Sequence, residues 1–320
     1  MNRVKGKRML CAALCIVLCL CTTGCSVANG SQGICYRVTG GKNEMFLLGS
    51  IHVGSKEMYP MGETILSALE DADTLVLECD TESEEALAAS LEAMRYPQGE
   101  TLKEQLSAES CQLLEQAMRI AGYPAGTFDT YKPWAVVSTL SVYTTGKEMG
   151  VGNAQQAIDF GVEKKLLSLA KKAGKHMDYL ETVTEQFDVM DGFSPELQEY
   201  MLQTACKAII GDSASASAAN GTGMRDWPEW WRTGNSDAFS QAYLAGLAQD
   251  PRADLMQEYH QKLLVKRNQS MAQELQKRLE NDEAHRYFVS IGLLHLVLPN
   301  DSVIHELEKM GYAVETVKSI

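Results

Sequence analysis

Apolar runs cluster toward the two ends of the chain, while the long middle is patterned with the period of helices. Near the start, ICYRV (34–38), EMFLLGSI (44–51) and DTLVLEC (73–79) read as strands. GGKN between the first two supplies the turn residues of a hairpin. Between the second and third, MGETILSALEDA sets Ile65, Leu66 and Leu69 on one helical face, so strand, helix, strand predicts a parallel crossover.

From Glu82 to Lys175 strand signals nearly vanish. Helical periodicity recurs in SEEALAASLEAMRY, SAESCQLLEQAMRIAG, YKPWAVVSTLSVYTTGKEMG and GVEKKLLSLAKKAG, which predicts a helical insertion or cap over about 82–175. KHMDYLET (175–182) returns as a short strand, followed by helices at TEQFDVM and SPELQEYMLQTACKAII. The small, polar, aperiodic stretch 211–223 reads as a surface loop. A helical run from SDAFSQAYLAGL through LMQEYHQKLLVKRNQSMAQELQKRLE precedes a last strand, helix, strand unit: RYFVSIGLL, NDSVIHELEKMG and YAVETVK. The expected fold is α/β, with a central mixed sheet formed by the N- and C-terminal segments, flanked by helices, and a helical middle inserted between them.

The first residues are of a different kind. Arg3, Lys5, Lys7 and Arg8 precede an apolar run from Met9 to Leu20, and CTTGC follows. That is the layout of a secretory signal over 1–24. A cysteine after a glycine at this point resembles a bacterial lipobox, with Cys25 lipidated and anchoring the chain to the membrane, although Thr22 stands where leucine is usual. A simple cleaved signal and an uncleaved anchor are the alternatives, and in all three the body is exported. SVANGSQG then reads as a tether, giving 25–33 as linker and 34–320 as one folded domain.

Composition narrows the classes. With 45% hydrophobic and 22% charged residues the chain is neither disordered nor fibrous. The net charge of −13 becomes 25 − 42 = −17 once the four basic groups of residues 1–24 are removed, which argues against nucleic-acid partners and anionic lipid surfaces. Five of the nine cysteines lie in the leading segment. The remainder, Cys35, Cys79, Cys111 and Cys206, have no metal-ligand spacing and leave room for one disulfide of undetermined pairing.

In an α/β sheet ligands gather beyond the carboxyl ends of the strands. Three polar residues fall there: His52 after Gly49, Glu78 at the end of TLVLE, and His295 after Gly292. Two imidazoles and a carboxylate make a three-ligand set for a divalent metal with a position left for water. Each also has an ordinary structural reading. Glu78 has the strongest claim, because a carboxylate closing an apolar run is costly to bury without a cation or donors. Gly49 and Gly292 would permit a sharp turn or a close approach.

These segments together resemble the TraB/GumN family, which is similar to the Tiki metalloproteases and more distantly to erythromycin esterase-like enzymes. The resemblance runs from FLLGSIHVGSKEMYPMGETILSALEDADTLVLECD through FGVEKKLLSLAKKAGKHMDYLETVTEQFDVM, WWRTGN and KRNQSMAQEL to YFVSIGLLHLVLPNDSVIHELEKMGYAVETV, about residues 34–317. It implies that Gly49/His52 and Gly292/His295 are the two GxxH motifs and that Glu78 is their acidic partner at a metal centre. It further implies Glu181 as general base or supporting carboxylate, with an N-terminal helix carboxylate as the alternative. Arg267 and Asn268 would either hold a substrate carbonyl or carboxylate, or brace the ligand loops. Asn235 stands where the family commonly has an acid, so the tryptophans of WWRTGN read as packing. His176, His260, His285 and His305 have no partners in the pattern and read as structural.

The function this predicts is metal-dependent hydrolysis of a peptide, or a similar amide or ester, outside the cytoplasm. Manganese, cobalt or zinc suits the ligands, and the substrate is a peptide or small molecule. Two alternatives remain open: a membrane-tethered protein that binds and sequesters peptides without cleaving them, and a non-peptide esterase.

Overall fold

A computed structural model describes residues 30–151, 154–211 and 224–318. The expected export signal, Cys25, the first part of the expected tether and nearly all of the predicted 211–223 loop lie outside them. Among the described residues no helix is long and apolar enough to cross a membrane.

Six strands form one mixed sheet: β1 (Cys35–Thr39), β2 (Glu44–Ser50), β3 (Thr74–Leu77), β4 (His176–Tyr179), β5 (Arg286–Gly292) and β6 (Ala313–Val317). Their order across the sheet is β4-β3-β5-β2-β1-β6. β1 and β2 make the predicted antiparallel hairpin, and β6 adds antiparallel to β1. The other contacts, β2 with β5, β5 with β3 and β3 with β4, are parallel. The crossover from β2 to β3 through the helix Glu63–Asp71 is therefore present, but β5, from the far end of the chain, lies between its two strands.

The apolar runs are continuous because helices cover both faces of the sheet. On one face Phe46, Leu48, Leu75, Leu77 and Phe288 pack with Ile65 and Leu69 and with Val162, Leu166 and Ala170 of the helix Val162–Lys172. On the other, Met45, Leu47, Val76, Val289 and Ile291 meet Met271, Leu275 and Leu279 of the helix Lys266–Leu279 and Val303 and Leu307 of the helix Val303–Lys309. Alternate residues of each strand thus serve opposite cores, as the two-residue repeat requires. Phe288 is wholly buried and stacks on Phe46 at 5.2 Å, so truncating it to alanine would cost about 3–5 kcal/mol.

Between β3 and β4 the chain is helical, and Leu102, Leu114, Met118, Val136 and Leu140 form a separate core with Leu202, Cys206 and Ile209. The tether ends sooner than the sequence suggested. Ser31 donates its N–H to the Pro60 carbonyl and Gln32 to that of Arg232, so residues 31–33 belong to the folded body. Small polar composition gave no sign of this, because the docking uses backbone groups. The four described cysteines are free thiols.

Candidate functional site

Register alone brings the predicted residues together. Ser50 pairs with Gly292 and Leu77 with Tyr179, and all four parallel strands end on the same edge. His52 follows its strand by two residues, Glu78 by one, Glu181 by two and His295 by three. The two GxxH segments are neighbours because β2 and β5 are neighbours.

Glu78 is 6% exposed. Its Oε1 accepts the Gly292 N–H at 2.5 Å, and its Oε2 accepts from Arg267 Nη2 at 2.8 Å and Gln186 Nε2 at 3.1 Å. A Cβ on Gly292 would stand 2.8 Å from that Oε1, so the glycine serves close approach of the carboxylate. Burial pushes the Glu78 carboxyl up. The cationic surroundings of His295, Arg267 and His52, with the Gly292 N–H, override this and hold it at about 2.

His295 is buried, and its hydrogen bonds define its tautomer. A guanidinium can only donate, so the 3.1 Å contact from Arg267 Nη1 makes Nε2 the acceptor. Nδ1–H then donates to Asn268 Oδ1 at 2.5 Å. Burial, and next the Arg267 charge, push the ring down to about 3, so it is neutral near pH 7. The positive charge that keeps Glu78 ionised there is therefore that of Arg267 together with His52. Asn268 itself is 1% exposed and its amide donates to the Asp301 carbonyl, so it links the ring to the loop at Asp301.

His52 differs in exposure and in charge. Its side chain is 72% exposed as part of the cleft lining, and its Nδ1 lies 2.5 Å from Glu163 Oε2. Glu163 also accepts the Ser50 hydroxyl at 2.9 Å. The carboxylate raises the imidazole to about 9, against a smaller opposing effect of burial. Glu163 sits in the first turn of the helix Val162–Lys172, whose Val162 N–H bonds the Ile51 carbonyl at 2.9 Å and so fixes the His52 loop to the helix start. Sequence reading missed Glu163. An acid in a first turn is explained by the helix dipole alone, and nothing in the pattern joins it to a histidine 111 residues away.

Arg267 is the hub. Besides Glu78 and His295 it binds Glu181 through both Nε, at 3.2 Å to Oε2, and Nη2. Glu181 also accepts from Gln186 at 2.7 Å. The carboxylate is consequently the partner of Arg267, placed just ahead of a helix whose Thr182–Glu185 capping box fixes the turn. The expected continuous helix before Arg267 is interrupted by a π-helical stretch, Gln261–Val265, which delivers Leu263 and Leu264 to the cleft wall.

The cleft holds about 420 Å³. Polar groups of His52, Glu78, Arg267 and His295 share it with Met190, Trp227, Phe239, Leu263, Leu264 and Leu293, so a charged floor adjoins apolar walls. Trp231 is packing, as expected, but its Nε1 also donates to the Gly49 carbonyl at 2.8 Å and secures the end of β2. Gly49 fits close against Leu293, whose Cδ1 would lie 2.4 Å from an added Cβ. Asn235 caps the helix Ser236–Gln249 by accepting the Ala238 N–H.

A three-ligand metal centre does not fit this arrangement. His295 Nε2 and Glu78 Oε2 both face Arg267, and the described residues contain no group of three His, Cys, Asp or Glu side chains able to hold a metal ion. The donor types suit a divalent cation; the guanidinium stands among them.

An α/β protein with a polar cleft beyond four parallel strand ends is the class that fold and site define. The TraB/PrgY/gumN family matches residues 34–316, and the chain belongs to it. It is 25% identical to the uncharacterized protein YbaP of Escherichia coli (strain K12) over 264 residues, 80% of this chain and 85% of YbaP. The Shigella flexneri protein of the same name matches to the same extent. No solved structure matches the chain.

Proposed function

We propose that the protein is an exported, lipid-anchored hydrolase that cleaves a peptide, or a related amide or ester, in the cleft between His52 and His295. One observation carries the reading: an exposed imidazole oriented by a carboxylate shares an apolar-walled cavity of about 420 Å³ with a buried, hydrogen-bonded arginine, glutamate and neutral histidine. Cavities of this size and lining suit small ligands or single peptide side chains.

His52 is the accessible proton carrier. Glu163 fixes its Nδ1, which leaves Nε2 as the nitrogen for a substrate and stabilises the protonated ring, so it suits proton donation to a leaving amine or alkoxide. The positive field of Arg267 and His52 favours negative charge developing on a carbonyl oxygen between them. Trp227, Phe239 and Met190 would hold an apolar side chain and exclude water.

The test is hydrolysis of a peptide library beside simple esters and macrolides, in metal-free buffer and with each of the three metals, comparing the native chain with His52→Ala. Cleavage that disappears in the variant supports the proposal. Cleavage unaffected by the substitution, or absent from all substrates and conditions, overturns it. The sequestration reading is favoured by how completely the floor groups satisfy one another; it expects peptide binding that survives His52→Ala with no product formed. Anchoring is tested by radiolabelled palmitate incorporation in cells, which Cys25→Ala should abolish.

A further inference from the structure

Gln186 is a cleft residue whose polar group is only half engaged. It sits on the helix Val183–Asp191 and lines the same cavity as His52, Glu78, Arg267 and His295. Its Nε2 donates to Glu78 Oε2 at 3.1 Å and to Glu181 Oε1 at 2.7 Å. A primary amide nitrogen carries two hydrogens, so both are taken. The flipped amide would set Oε1 against two carboxylates that Arg267 already pairs, and lone-pair repulsion excludes it. The carbonyl is therefore the open end of the side chain. Oε1 accepts no hydrogen bond from the described residues, yet it is not among their buried polar atoms lacking a partner, which are Ser55 Oγ, Asp250 Oδ2 and Ser290 Oγ. Solvent thus reaches it, on a side chain that lines the cleft.

The neighbouring acceptors are occupied. Glu78 Oε1 holds the Gly292 N–H, its Oε2 holds Arg267 and Gln186, and His295 Nε2 faces Arg267. The helix that carries Gln186 is also fixed at both ends. Thr182 and Glu185 exchange capping hydrogen bonds at its start, and Asp191, its last residue, accepts the Trp134 Nε1–H at 2.5 Å. Between them Phe187 stacks on Trp134 at 5.0 Å. A carbonyl held in this way is aimed before a ligand arrives, so little conformational freedom is lost on binding.

An amide and an ester of the same shape differ here in one group. Both offer a carbonyl oxygen, but only the amide has an N–H to donate to Gln186 Oε1. An ester oxygen in its place sets lone pairs against each other and leaves the acceptor unpaired once water has been displaced. We propose that Gln186 Oε1 accepts a main-chain N–H of the substrate, and that the cleft thereby selects peptides over esters. Gln186 reads the main chain, while Trp227, Phe239 and Met190 take an apolar side chain. The assignment rests on the reading of the cleft as a peptide site but not on cleavage, and it sets that reading apart from the esterase alternative.

The probe is an end-blocked tetrapeptide of alanine with one phenylalanine, beside its depsipeptides, in which one main-chain N–H at a time is replaced by oxygen. Each is measured with the full chain, with Gln186→Met and with Gln186→Asn, which withdraws the carbonyl by one methylene. The readout is kcat/KM where the probe is cleaved and Kd by calorimetry where it is only bound. At one position the replacement should weaken the native protein's value roughly 10-fold or more, and about 3-fold or less in either variant. Each comparison lies within one protein, so a general loss of folding or of Glu78 charge changes both members of a pair alike. No sensitive position in the native protein overturns the proposal, as does a position equally sensitive in native and variant. Should Gln186→Met not fold, Gln186→Asn and the native series decide. Binding that depends on the N–H and on Gln186 without cleavage supports the proposal and refutes the hydrolase reading. Cleavage indifferent to Gln186 does the reverse, and probes that neither bind nor are cleaved overturn both.

Discussion

Glu78→Gln separates the charge of the central carboxylate from its shape. In the native protein the carboxyl is held down from 4.5 to about 2. At 1.36 kcal/mol per unit the ionised form contributes about 3 kcal/mol to folding near neutral pH. The side chain is 7% exposed, so solvent screens little of this. Glutamine can still accept the Gly292 N–H, but its amide NH₂ then opposes donors from Arg267 and Gln186. A carboxylate with a depressed folded-state pKa stabilises fully above its unfolded value of 4.5, and the stabilisation is lost as pH falls toward 2. Urea unfolding should therefore show Glu78→Gln about 3 kcal/mol less stable at pH 7, with the gap narrowing below pH 4.5. A gap under about 1 kcal/mol at pH 7, or one independent of pH, would refute the assignment of Glu78 as a buried, arginine-paired carboxylate.

His295 acts in the same direction for a different reason, its charged form being the disfavoured one: its folded-state pKa of about 3 lies below the ordinary 6.5, so the unfolded chain binds the extra proton and stability declines as pH drops through that window. Melting temperatures of His295→Gln should fall less than those of the native protein between pH 6.5 and 4.5, above the range where Glu78 also titrates; parallel curves would contradict this. Glu163→Ala should lower the His52 pKa from about 9 toward 6.5 in an NMR titration, and a change of less than one unit would mean that Glu163 is not its main partner. Gly292→Ala puts a methyl 2.8 Å from a carboxylate oxygen that Arg267 pins, and should cost about 1–3 kcal/mol in chemical denaturation; a neutral substitution would show that Glu78 is free to move.

The strands were legible because burial on both faces writes itself as uninterrupted apolar runs: MFLL in β2, TLVL in β3 and YFVSI in β5. The adjacency of the GxxH segments followed from placing both strands in one sheet. Strand order was not legible, since no pattern within β3 tells that β5 will lie between it and β2. Nor was the π-helical stretch at Gln261–Val265, because one wider turn leaves the apolar periodicity of the flanking helices intact. Glu181 and Asn268 were singled out with their roles open. Their hydrogen-bond partners depend on side-chain reach that no pattern shows: Arg267 spans from Glu181 to His295, and Asn268 lies behind the imidazole.

The repeated GxxH motif suggests two equivalent histidines, and the physical chemistry of their partners makes them unlike. Both rings are held at Nδ1, but one acceptor is a carboxylate and the other an amide. A carboxylate gains by facing a charged ring, so His52 is stabilised protonated, and this outweighs the opposing cost of burying that charge. An amide oxygen offers no such gain, while burial and Arg267 both penalise a second positive charge, so His295 stays neutral and presents a lone pair. A proton donor and an electron-pair donor thus stand just beyond the ends of neighbouring strands, two roles obtained from one motif by exchanging the residue behind it. By this logic Asn268→Asp would make the sites alike: a carboxylate behind His295 should draw a proton onto its ring and break the Arg267–Nε2 hydrogen bond. Histidine ¹⁵N spectra near neutral pH would show whether His295 then becomes a cation; a ring that remained neutral would mean that Arg267, and not the group behind the imidazole, sets its state.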